Sequence, residues 1–198
     1  RLALREPDFT TAARIEAAIQ RGVADGLPRS LLVDKAIEGA AKGMGPEVVL
    51  AAVRTFADEL RQATTVVGRD ADDIDLEKAA DGLRSGVDRG FLVELYRESP
   101  EDFPMMVIAL EDLLHSGVTI TVAQGMLRDA SSRGLGGNEL LDLPASVRRL
   151  VREGRTPFEA ASSVRASMRS GRRPPYPYDG LPNFPIRTKR PIPAFQAW

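Results

Sequence analysis

At 198 residues and 43% apolar content the chain can bury one substantial core, while a net charge of −1 gives no general case for a nucleic-acid partner. There is no cysteine, which excludes disulfide frameworks, thiolate metal sites and cysteine nucleophiles. No apolar run reaches the roughly 18 residues a transmembrane helix needs, and with aromatics at 6% the packing falls to Ala, Leu and Val, which suits closely packed helices.

A phrase of a basic or polar residue, a glycine and an apolar residue recurs at Arg21-Gly22-Val23, Lys42-Gly43-Met44, Ser85-Gly86-Val87, Ser116-Gly117-Val118 and Arg133-Gly134-Leu135. Each reads as the end of a helix, because glycine reaches the left-handed conformation at little cost. Thr10 to Gln20 is predicted helical, with Gly22 as its stop. Pro28 opens a helix through Lys42, and Pro46 opens the next, with Val49, Val53, Phe56 and Leu60 as its apolar stripe. Residues 28–62 therefore read as an antiparallel helical hairpin, followed by a linker from Thr64 to Asp73.

Further helices are predicted from Asp73 to Gly86 and from Arg89 to Arg97. Ser99-Pro100-Glu101-Asp102 has the pattern of a helix start, Ser as N-cap and Pro at the first position, and that helix runs to His115. Thr119–Ser131 follows, then two short helices at Asn138–Leu143 and Pro144–Glu153. Thr156-Pro157-Phe158-Glu159 has capping-box spacing and opens the last helix, to Arg169. The glycine phrases lie 21, 43, 31 and 17 residues apart, so the prediction is an all-α, irregular array of short antiparallel helical hairpins. Val118–Val122 is β-branched, but no alternating partner strand stands out.

After Gly171 the texture changes, and the chain divides into a helical domain over 1–171 and an extended arm over 172–198. The arm holds seven of the 14 prolines and five of the 11 aromatics. Proline favours polyproline II and cannot sustain a helix, and a merely solvating linker has no use for concentrated aromatics. Tyr176, Tyr178, Phe184, Arg187, Arg190, Phe195 and Trp198 are the candidate partner-binding residues; Pro182-Asn183-Phe184-Pro185 adds PxxP spacing. Five basic residues against Asp179 give the arm +4, leaving −5 on the rest of the chain. Such an arm fits an acidic partner, a neighbouring copy or its own body.

The stretch Gly26–Val53, with its helix–Gly–Met–Gly–Pro–helix centre, resembles a hairpin of uncharacterised exported helical proteins of Gram-negative bacteria. That resemblance implies an all-α fold and a periplasmic or otherwise extracytoplasmic address, and it implies no activity. The first residue, Arg1, is what removal of an export leader leaves; trimming gives the same start.

Candidate chemistry is sparse. His115 is the only histidine and sits near a helix C-terminus, where the dipole favours it. Asp70, Asp72, Asp73 and Asp75 form the densest acidic cluster, but neither calcium-loop register places a glycine at its sixth position, so capping is the expected role. Gly134-Leu135-Gly136-Gly137 lacks the strand and the Lys-Ser/Thr of a phosphate loop and reads as a turn. Arg148, Arg149, Arg152, Arg155, Arg165 and Arg169, continued by Arg172 and Arg173, make a basic stretch able to meet phosphate, anionic lipid or an acidic protein.

The expected function is a non-enzymatic accessory or scaffold subunit docked on a larger envelope or membrane-associated assembly, such as an electron-transfer or photosynthetic one, with the arm as clamp. No metal, organic cofactor or nucleic acid is expected. The competing expectations are a peripheral module that binds anionic lipid or polymer through the basic C-terminal surface, and a carboxylate-based enzyme acting on cell-wall glycans.

Overall fold

A computed structural model describes residues 9–170. The arm, with all seven candidate partner-binding residues, lies outside the described residues. Among the described residues the fold is all-α: α1 (Phe9–Ala24), α2 (Arg29–Ala41), α3 (Pro46–Val67), α4 (Asp73–Arg84), α5 (Arg89–Glu98), a 3-10 turn at Pro100–Asp102, α6 (Phe103–His115), α7 (Ile120–Ser131), α8 (Asn138–Arg152) and α9 (Pro157–Arg169).

The glycine phrases mark helix ends for a specific reason. Gly43, Gly86, Gly117 and Gly134 have φ of 69°, 79°, 82° and 66°, in the left-handed region. At each, the next residue donates its N–H to a carbonyl five positions back: Met44 to Gly39, Val87 to Gly82, Val118 to Leu113 and Leu135 to Ala130. This is the Schellman closure, and it turns Val87 and Val118 into the core. Gly22 departs from the pattern. It lies inside α1, where an added Cβ would meet Leu32 Cδ1 at 2.5 Å, so its role is to let α2 come close. The helix stops instead at Gly26, φ 86°, with Leu27 N–H on the Gly22 carbonyl.

Three other boundaries differ from the sequence expectation. The stretch 64–67 continues α3, because Val66 and Val67 are buried and extend its apolar stripe. Ser99 makes no side-chain cap bond; Pro100–Asp102 forms a 3-10 turn, and α6 starts at Phe103 with Pro104 in its first turn. The two short helices expected on either side of Pro144 are one, α8. Pro144 removes a single N–H, and its ring is buried together with Leu140, Leu143 and Val147 of the same helix, which offsets the lost bond.

Helices pack on sequence neighbours, most closely α3 on α2 and on α4, and five pairs two positions apart also pack: α1 on α3, α3 on α5, α4 on α6, α6 on α8 and α7 on α9. α1 and α3 run parallel, since Arg14 of α1 reaches Glu47 near the start of α3 and Asp25 just past α1 reaches Arg61 towards its end. Successive hairpins thus stack into an array. One core runs through it, from Ile19 and Leu32 through Leu60, Leu92, Met106 and Leu110 to Leu143 and Val164. No described helix is long and apolar enough to cross a membrane.

Candidate functional site

The hairpin stack decides where the charged side chains go. The cross-hairpin ion pairs of the C-terminal half recur at nearly the same sequence interval. Glu94 of α5 takes both Nε and Nη2 of Arg128, at 2.9 and 2.8 Å; Asp112 of α6 takes Arg148 at 2.8 Å; Asp129 of α7 takes Arg165 at 2.5 Å and Arg169 at 2.9 Å. Gly125 has no Cβ to block this last reach; the Arg165 guanidinium lies 2.9 Å from where one would stand. Burial pushes the Asp129 carboxyl up, but hydrogen bonds and charge from Arg165 and Arg169 overcome that and hold it below the usual aspartate range.

The basic stretch singled out in the sequence is therefore largely matched. Arg148, Arg165 and Arg169 meet carboxylates one hairpin back, and Arg149 meets Glu153 within α8 at 3.5 Å. Arg155 lies beyond the break at Gly154 and donates to Ser163 of α9 at 2.8 Å. Arg152 has no carboxylate partner among the described residues and lines a shallow cleft of about 340 Å³ with Asp112, His115, Ser116, Arg148 and Val151. His115 donates Nδ1–H to the Glu111 carbonyl at 2.8 Å. This cleft sits at the C-terminal ends of α6 and α8, where two dipoles favour cations, which accounts for the histidine and arginines there.

The acidic cluster disperses into separate tasks. Asp72 caps α4 by accepting the Asp75 N–H at 2.8 Å, and Asp73 accepts from Ser30 of α2 at 2.5 Å. Burial, then the charge of Asp72, push the Asp75 carboxyl up, while the Tyr96 hydroxyl pulls it down. No three His, Cys, Asp or Glu groups among the described residues converge on one point fit for a metal ion. The glycine-rich turn before α8 already holds an anion: the Asp102 carboxylate accepts the Gly137 N–H at 2.7 Å, at the helix N-terminus. The helix-start pattern predicts Asp102 in the first turn of its own helix; in the structure it also caps α8 across 35 residues, a contact no local pattern encodes.

A second set of arginines, spread from position 21 to 69, converges on one furrow between α1 and α3. A depression of about 190 Å³ is lined by Ala18, Arg21, Arg54, Ala57, Asp58 and Arg61. It adjoins a wider one of about 670 Å³ that shares Arg61 and reaches Asp25, Thr64, Thr65 and Arg69. Arg61 is held by Asp25 through Nε at 3.0 Å and Nη2 at 2.7 Å, and by Asp58. Arg21, Arg54 and Arg69 are exposed and have no carboxylate partner among the described residues. Sequence reading missed this set because no local run contains it; the α1 and α3 members become neighbours only when the two helices lie parallel.

On the opposite flank of α3, a cleft of about 240 Å³ between α2 and α4 collects Asp34, Glu38, Glu77 and Asp81 around Phe56, with Lys35 5.5 Å from the ring centre. Lys42, then Lys35, hold the exposed Glu38 carboxyl down at about 2. No protein-family model, curated protein or solved structure matches the chain.

Proposed function

We propose that this chain is a non-enzymatic docking subunit of a larger envelope-associated assembly, its hairpin stack a rigid body and residues 172–198 a clamp. The observation that carries this reading is the hairpin stack itself, tied between successive hairpins by pairs such as Glu94–Arg128, Asp112–Arg148 and Asp129–Arg165. Stacked helical hairpins have fixed side-chain positions over a long surface, the property a docking body needs. A proline-stiffened arm loses little entropy on docking, and its aromatic rings supply contact area with few torsions to fix.

The test is a tagged full-length chain at native level, extracted gently from its envelope fraction, beside a chain ending at Gly171. The full chain should migrate with a defined set of other chains. The truncated chain should keep its helical circular dichroism and lose them. A full chain that fractionates away from the envelope and migrates alone removes the docking reading. A truncated chain that assembles with unchanged affinity removes the clamp.

A further inference from the structure

We infer that the furrow between α1 and α3 receives an acidic helical segment of a protein partner, gripped at one end by Arg21 with Arg54 and at the other by Arg69. The inference rests on the docking reading above and names the chemistry of one contact.

Three observations carry it. First, the floor is made of small side chains: Ala57 is buried and Ala18 half-buried, so a helix can approach closely between guanidinium walls. Second, Arg21 from α1 and Arg54 from α3 line one depression and neither has a carboxylate partner among the described residues; Arg89, Arg97, Arg133, Arg152 and Arg155 also lack one, but in the cleft at Arg152 the neighbouring Arg148 is paired with Asp112. Third, the middle of the furrow is net negative, because two carboxylates, Asp25 and Asp58, hold the single guanidinium of Arg61.

The furrow therefore presents positive charge, then a net negative centre of two carboxylates around one guanidinium, then positive charge. At 1.5 Å per residue Arg54 lies roughly 20 Å from the end of α3 at Val67, and Arg69 follows two residues beyond that end. A matching helix carries acidic residues about four turns apart, with a neutral or basic residue between them. A polyphosphate or other uniformly charged polymer sets anions against Asp25 and Asp58, where like charges repel, so the pattern favours the peptide. Two guanidinium groups without a carboxylate line the first depression against one, Arg69, in the second, which makes Arg21 with Arg54 the stronger grip.

The probe is a fluorescent alanine-based helical peptide with two Glu pairs about 14 residues apart and Lys between them. Its control has the same composition with Glu central and Lys terminal. Full-length protein should bind the first more tightly, with affinity falling as salt rises. Arg21→Glu/Arg54→Glu should lose at least about tenfold, Arg69→Glu less, and Arg152→Glu nothing, all with unchanged circular dichroism. Equal binding of the two peptides, or an unaffected double variant, overturns the inference. So does polyphosphate binding that depends on Arg21 and Arg54 while the peptide fails. The double variant is also carried into the native extraction. An intact complex there, with no peptide binding, sinks the furrow and leaves the docking reading standing; a wild-type chain that migrates alone sinks the docking reading itself.

Discussion

Two arginine-bearing regions of this molecule have opposite fates. The helices α8 and α9 carry the densest run of arginines in the described chain, yet Arg148, Arg149, Arg165 and Arg169 are matched by Asp112, Glu153 and Asp129. The α1–α3 furrow draws its arginines from residues scattered between 21 and 69, yet Arg21, Arg54 and Arg69 stay without a carboxylate among the described residues. Charge density along a chain is thus a poor guide to charge on a surface. What decides is whether the preceding hairpin offers an acid at the right height, and for α9 it does.

The sharpest way to break the contrast is Asp129→Ala. Its partly buried carboxylate serves two arginines at once, so its loss leaves Arg165 and Arg169 without their shared acceptor and should cost about 1–3 kcal/mol. Urea unfolding measures this. The sign with pH follows from the lowered carboxyl. The folded-state value lies below that of the unfolded chain, so this contribution is complete above the ordinary aspartate range, near 4, and disappears as pH falls through the folded value. The stability gap between wild type and variant should close on acidification. A gap that is flat with pH contradicts the assignment. The variant should also bind a sulfated column more tightly, as its C-terminal surface comes to resemble the furrow.

A smaller effect is expected from Gly136→Ala. A Cβ there would stand 2.6 Å from Asp102 Oδ2, the carboxylate that caps α8 from the previous hairpin. Displacing it leaves the Gly137 N–H without its acceptor and should cost about 1 kcal/mol, with amide exchange faster in the first turn of α8. Unchanged exchange at residues 137–140 argues that the cap is dispensable.

The sequence carried the helices well where a chemical terminator was local. The capping box Thr156–Glu159 forms as spaced, with Glu159 accepting the Thr156 N–H and Thr156 accepting the Glu159 N–H. The glycine phrases were legible because a left-handed glycine followed by an apolar residue is a complete instruction within six residues. Gly22 was misread because its purpose, contact with Leu32, depends on how α2 folds back. The single α8 was missed because burial of the Pro144 ring, not local propensity, keeps that helix continuous. Of the acidic cluster, the cap made by Asp72 followed from its place before a helix, whereas the bond from Ser30 to Asp73 depends on how α2 and α4 meet. The furrow did not follow from local sequence, since Arg21 and Arg54 are 33 residues apart and share a depression only through the parallel run of α1 and α3.

The smallest effect on stability, and the most informative for the furrow, is Asp25→Asn/Asp58→Asn. Both carboxylates are exposed and pair with one half-exposed guanidinium, so screening leaves each pair worth about 0.2–1 kcal/mol, and the midpoint of unfolding should hardly move. Binding should change far more. With both carboxylates neutral, Arg61 joins Arg54, about 10 Å along the same helix face, and the net negative centre becomes positive. The acid-centred control peptide, repelled by the wild type, should then bind at least as well as the acid-ended one. If the variant instead keeps the wild-type preference, Asp25 and Asp58 do not set the charge pattern of the furrow. If it loses both peptides with its fold intact, those carboxylates hold Arg61 in the position binding requires, and their part is geometric. The three outcomes separate a furrow read by charge from one read by shape.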